Sequence, residues 1–334
     1  MIGSLPYADP QQACRTVLHY IPEIPAWPQL LERSYLENMY VQFSQGLPGV
    51  VVDQEAKRIY VKRSQDLNQP LEKFYEAYLG NDLNAVAIGR EYAAGLHAFL
   101  SLKLNSPLAV KGQVTGPVSW ALTVADEEKR PILYDETLSD ALAKLLRLKA
   151  AWQEQKLKAL CPNTIIFVDE PSMSAFGSAY VSITRERVIN LLDEVFGGLE
   201  GLKGIHCCGN TDWPVLMDTK TDIVNPDVYN FVASMSLYPA EVKKFLDRGG
   251  IIAWGIVPND ESSLKGETIP SLRDRIEEAI SPLSRKGISF QNLIRRSLLT
   301  PSCGLAGLPI EAAERALELL ADLSRDLKKR YIKD

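Results

Sequence analysis

The chain of 334 residues is 46% hydrophobic and 24% charged with 21 Gly and 20 Pro, a globular composition that excludes disorder and collagen-like structure. Its 37 basic and 42 acidic side chains are mixed along the sequence and leave a net charge of −5, which argues against nucleic acid as a partner. No run of ~18 apolar residues occurs and the segment MIGSLPYADP has neither the basic nor the apolar part of a signal peptide, so a cytoplasmic protein with no membrane contact is expected.

Short apolar runs bounded by Gly, Pro or Asp read as strands: IGSLP at 2–6, GVVVD at 49–53, LAVKGQVTG at 108–116, TIIFVDEP at 164–171, GIHCCG at 204–209, DIVNP at 222–226, GIIAWGIVP at 250–258 and SLLTPSCG at 297–304. Helical patterns lie between them. Leu138, Leu142, Leu145 and Trp152 share one face of a long helix, and Pro239 opens a helix that Gly249 and Gly250 end. A last helix from near Pro309 lines up Ala313, Ala316, Leu320, Leu323 and Leu327. Strands alternating with helices imply parallel pairing, and eight units are the number that closes a barrel. The predicted fold class is therefore α/β, a single (β/α)8 TIM barrel domain over 1–334. The long segments 10–48 and 54–107 add extra N-terminal helices and a hairpin (Lys57 to Val61). A doubly wound sheet is the alternative, but no GxGxxG or Walker sequence supports it.

In such a barrel the active site gathers at the C-terminal strand ends. Those ends carry Asp169-Glu170, His206-Cys207-Cys208, Asn225-Pro226-Asp227 and Ser302-Cys303-Gly304. Alternation puts His206 and Cys208 on one side of their strand and Cys207 on the other. Cys303 can converge from the last strand, and an N/S/S set suits Zn²⁺. On spacing alone an HxC pair on one strand is more often ordinary cysteine packing than a metal site, although an odd count of five cysteines without a secretory signal argues against a disulfide framework. Asp169 and Glu170 point to opposite sides, so they are not a paired acid/base dyad; one of them is expected to face the mouth, and the alternative is that this carboxylate caps or salt-bridges the barrel rim. His19, His97, Cys14 and Cys161 read as partly buried structural residues. The run Asp126 to Arg130 reads as a solvated loop placed to act as a lid.

IGSLP, VKGQVTGPVS (110–119), VDEP (168–171), HCC (206–208), Trp254-Gly255-Ile256 and PSCGL (301–305), in that order, resemble the catalytic barrel of cobalamin-independent methionine synthase. That superfamily also holds uroporphyrinogen decarboxylases and methylcobalamin:coenzyme M methyltransferases. The resemblance implies a homocysteine S-methyltransferase of short, core type, with zinc on His206, Cys208 and Cys303. It also implies an amino-group contact at catalytic Asp169 and a carboxylate contact at the Gly3-Ser4 backbone. The family's further zinc ligand is a Glu after the next strand; here Asp227 is the nearby acid and is carried over in its place. Full-length members have a second barrel that helps to bind a folate donor. Without it, the expected methyl donor is methylcobalamin or a methyl-corrinoid held by a corrinoid protein. The alternatives are methyl transfer to coenzyme M and a decarboxylase of the porphyrin type.

Overall fold

The computed structural model describes residues 1–332. Among the described residues eight strands form in chain order: β1 (Val50–Asp53), β2 (Arg58–Val61), β3 (Val110–Thr115), β4 (Thr164–Asp169), β5 (Leu202–Cys207), β6 (Ile223–Pro226), β7 (Ile251–Val257) and β8 (Ser297–Pro301). Only six of them, β3 to β8, make the main sheet, which is parallel throughout and keeps sequence order. Their Val/Ile-rich runs are buried on both faces, as a parallel sheet covered by helices requires; every residue of β3 and β4 is buried.

The GVVVD run is not a strand of this sheet. It is β1, paired antiparallel with β2 from Val50 opposite Val61 to Asp53 opposite Arg58, so the expected hairpin exists but is built from both runs. In place of GVVVD, residues 26–29 lie against β3. Trp27 N donates to Lys111 O (3.3 Å) and Lys111 N donates to Pro25 O (2.9 Å). The IGSLP segment follows: Gln29 N donates to Gly3 O (3.1 Å) and Leu5 N to Gln29 O (3.0 Å). Beyond β8, Leu305 N donates to Ser4 O (3.0 Å), so the two edges of the curled sheet are joined through Ser4 and Gln29. Pro25 and Pro28 have no N–H to give, which holds this linkage to isolated bridges rather than regular strands. The regular barrel strands are six, not the expected eight.

The buried Glu37 carboxylate fastens the turn that follows residues 26–29. It accepts from Leu30 N (3.2 Å) and Ala94 N (3.4 Å) and pairs with Arg33 (2.8 Å). The expected helices are present as Glu136–Leu157, Pro239–Asp247 and Ile310–Tyr331; the first and last bury their predicted apolar stripes, and the second buries Val242, Phe245 and Leu246. Extra helices in the N-terminal third include Pro10–Tyr20, Asn68–Leu79 and Ala94–Leu100. Among the described residues no helix is long and apolar enough to cross a membrane.

A small cluster of Ala109, Ile165, Phe167, Ile223 and Ala253, with Ile24, Ile251 and Leu298 against it, is separate from the large helix-facing core. Its members alternate along the strands on the side away from the helices, so they fill the inside of the curled sheet toward the strand starts. Polar residues continue the same rows toward the strand ends.

Gly95 packs so closely on residues 26–29 that a Cβ would lie 1.9 Å from the Pro28 carbonyl oxygen. Gly95→Ala is therefore expected to destabilise by ~1–3 kcal/mol, the usual cost of overpacking against backbone. Urea unfolding should show a lower midpoint at unchanged slope; an unchanged midpoint would contradict this packing.

Candidate metal centre

One transverse row of the sheet carries the site. Thr115 pairs with Asp169, Asp169 with His206, and His206 with Asn225, so these four side chains stand side by side on consecutive strands β3 to β6. Cys208 follows the end of β5 and Cys303 follows β8. His206, Cys208 and Cys303 offer ligand atoms that all lie within 4.8 Å of one another, the one such group among the described residues. The three residues expected to share an ion are therefore brought together from two strands.

The polar atoms around this group lack partners. Both ring nitrogens of His206, Oδ1 of Asp169 and Oδ1 of Asn225 are buried with no hydrogen bond. Buried polar atoms are nearly always satisfied, so four orphans in one row indicate ligands that belong there. An imidazole nitrogen and two sulfurs are also the soft and borderline donors that bind zinc. Burial opposes charge on His206, but contacts from Cys208, Asp169 and Asn225 outweigh it and raise the ring's pKa. The neighbouring Cys303 and His206 lower the pKa of Cys208, and the closeness of the two sulfurs raises that of Cys303. Cys207 points the other way as expected: it is fully buried, donates to Gly209 O (3.5 Å), and burial pushes its pKa up to about 12.

The two carboxylates of Asp169-Glu170 separate as alternation predicted. Glu170 is wholly buried and accepts from Val118 N (2.9 Å) and Ser119 N (2.7 Å), capping the helix Pro117–Thr123. Burial raises its pKa to about 7 against the pull of those bonds. Asp169 turns inward. Burial raises its pKa, and the charges of Lys111 and His206 oppose that shift. Lys111 was not singled out from the sequence, yet it is a buried ammonium inside the sheet. It donates to Ile2 O and to Gln113 Oε1 (3.1 Å) and lies over the Phe167 ring at 4.5 Å. Burial depresses its pKa to about 8, partly offset by Asp169.

Ser4 is placed beside the metal group by Gly304. A Cβ on Gly304 would meet Ser4 Oγ at 2.1 Å, so glycine after Cys303 makes room for the hydroxyl in this position. Asp227 is buried at the end of β6, but its carboxylate accepts from Asn230 N (3.0 Å) and Asn230 Nδ2 (2.7 Å) and is not among the converging ligands.

Other expectations resolve as follows. His97 is partly buried and contacts Ile88 O at 2.8 Å, and Cys14 and Cys161 are buried, whereas His19 is exposed at the end of its helix. The run Asp126 to Arg130 is not a free solvated loop. Asp126 is buried and pairs with Arg63 (3.3 Å), and Glu127 accepts from Arg63 N (2.7 Å) and Ser64 Oγ (2.6 Å), so the turn is tied to the segment after β2.

The chain matches no family model. It is 27% identical over 231 residues to the methionine synthase of Methanocaldococcus jannaschii, covering 69% of this chain and 68% of that protein. Its fold is shared with a B12-independent methionine synthase from Shewanella sp. W3-18-1, solved with selenomethionine, at a TM-score of 0.57 and 15% identity over 96% of this chain and 88% of that one. A methyltransferase from Methanosarcina mazei gives a TM-score of 0.55 at 13% identity, over 95% and 86% of the two chains.

About one zinc ion per chain is expected on purification, the habit of a site with three protein ligands. Cys208→Ser and Cys303→Ser should each lose it by elemental analysis, while Cys207→Ala should retain it. Full metal content in both serine variants would move the site elsewhere.

Proposed function

We propose that this chain is a zinc-dependent methyltransferase that forms methionine by methylating homocysteine, working on a (β/α)8-type barrel in which the irregular segments 2–5 and 26–29 stand beside the six regular strands. The observation that carries this reading is the convergence of His206, Cys208 and Cys303 beside an unpartnered, buried Asp169. Similarity in sequence to a methionine synthase supports it.

His206, Cys208 and Cys303 would hold the metal, with Asp227 joining them by giving up its Asn230 contacts. Zinc bound there keeps a substrate thiol, ordinarily only a few per cent ionised at pH 7, as its thiolate, a gain of ~30-fold in the nucleophile worth about 2 kcal/mol. The chain's own residues do the rest. Asp169 receives the substrate ammonium at its free Oδ1, in a place where an unpaired carboxylate is costly. The Gly3-Ser4 backbone, set against Cys303-Gly304, receives the substrate carboxylate. These two contacts fix the substrate at its amino-acid end and aim its side chain at the His206, Cys208, Cys303 group. Coenzyme M is the poorer acceptor, because its sulfonate would leave Asp169 without a cation. A decarboxylase of the porphyrin type leaves the two sulfurs unused.

The methyl donor in this reading is methylcobalamin or a methyl-corrinoid presented by a corrinoid protein. A folate donor requires an acid to protonate its amine as it leaves. Of the rim carboxylates, Glu170 is engaged by two backbone N–H groups and Asp227 by Asn230, and Asp169 is assigned to the acceptor. The fold neighbour from Shewanella is described as B12-independent, so donors must be compared directly.

Two measurements test the reading. Purified protein offered homocysteine or coenzyme M against methylcobalamin or methyltetrahydrofolate should make methionine from homocysteine and methylcobalamin. Comparable turnover with methyltetrahydrofolate would overturn the donor, and preference for coenzyme M would overturn the acceptor. Asp169→Asn should weaken homocysteine use by ~2–4 kcal/mol, the cost of unpairing a buried charge, with zinc content intact. Unchanged kinetics would leave Asp169 a structural role.

A further inference from the structure

The His206 ring presents a counting problem. A neutral imidazole has one N–H to donate and one lone pair to offer, and both its nitrogens are buried here without partners. The metal reading accounts for one nitrogen. Something must take the proton on the other, and a third orphan stands beside it: Oδ1 of Asn225, directly in register on the adjacent strand.

The orientation of Asn225 is settled by its other end. Nδ2 donates to the Ala253 carbonyl and to Thr300 Oγ1 (2.9 Å), so both amide protons are used on β7 and β8. Turning the carboxamide over would lose the bond to the Ala253 carbonyl and set oxygen against oxygen there, whereas the Thr300 hydroxyl can serve either end of the amide, so Ala253 decides the orientation. Oδ1 is thereby left as a fixed acceptor, buried at 0% exposure, on the strand next to the histidine. We infer that Asn225 is the positioning residue for His206: its Oδ1 accepts the ring N–H, sets the tautomer, and leaves the other nitrogen's lone pair free for the metal. All three orphans are then satisfied by one hydrogen bond and one ligand bond. Chain partners of this kind orient most metal-binding histidines, and their loss weakens metal affinity 10–100-fold. The Asn225 anchors extend the support to β7 and β8, so four consecutive strands fix one ring.

This inference rests on the zinc reading, and its test separates the two. In the zinc-loaded wild type, ¹⁵N NMR of the imidazole should show one metal-bound nitrogen and one protonated nitrogen whose proton exchanges slowly with water. Asn225→Leu keeps the volume and removes the acceptor. It should release zinc to a competing chelator at ~10–100-fold lower concentration, and its N–H signal should exchange quickly or vanish. Asn225→Asp restores an oxygen toward the ring and should recover most of the affinity, which a merely space-filling role would not. Wild-type protein that binds no zinc would overturn the zinc reading itself. Zinc bound equally well by wild type and Asn225→Leu, or a ring N–H open to solvent in the wild type, would overturn the role of Asn225 alone. The wild-type spectrum decides the matter even where a variant fails to fold.

Discussion

A row of buried polar atoms that the chain itself does not satisfy is the constraint around which this structure is arranged. Asp169, His206 and Asn225 stand in register on β4, β5 and β6, and four of their polar atoms have no partner. Leaving such atoms dry costs on the order of 1–3 kcal/mol each, more for a charge. A fold tolerates that only where ligands repay it. The parallel register matters as much as the residue types, because a slip of one position would turn the whole row toward the helices.

The layers inside the sheet explain why the site is polar at one end only. Toward the strand starts the interior is filled by Ile165, Phe167, Ile223 and Ala253. On β3 the same layers carry Lys111, opposite Ile165, and Gln113, opposite Phe167, and the strand ends carry the row of Thr115, Asp169, His206 and Asn225. Lys111 gives Asp169 a cation within the same apolar surroundings, and each opposes the burial shift of the other. Asp169 Oδ1 is left without a hydrogen-bond partner in these surroundings. Glu170, the next residue, is spent on the helix Pro117–Thr123, which shows how one step along a strand separates a site residue from a structural one.

Much of this was legible in the sequence because period-two alternation carries it. The strands β3 to β8, the buried helix faces, the opposed directions of Cys207 and Cys208, and the split between Asp169 and Glu170 all follow from spacing. GVVVD misled because a β-branched run fits a hairpin as well as a barrel strand. Residues 26–29 were missed because Pro28 within a four-residue span and Pro25 just before it give no strand signal. Asn225 was visible only as a polar strand end. Its relation to His206 depends on register between strands, which periodicity within one strand does not encode. Lys111 sat inside a recognised motif, but a single lysine among apolar residues does not reveal that its amine finds a carbonyl 109 positions away at Ile2.

The central claim is that His206, Cys208 and Cys303 present zinc to a substrate thiol. X-ray absorption at the zinc edge tests it most directly, since it counts sulfur neighbours. The account predicts two sulfurs in the resting protein, from Cys208 and Cys303, and three after homocysteine is added. A count that stays at two with homocysteine saturating, or a resting site without sulfur, would contradict it.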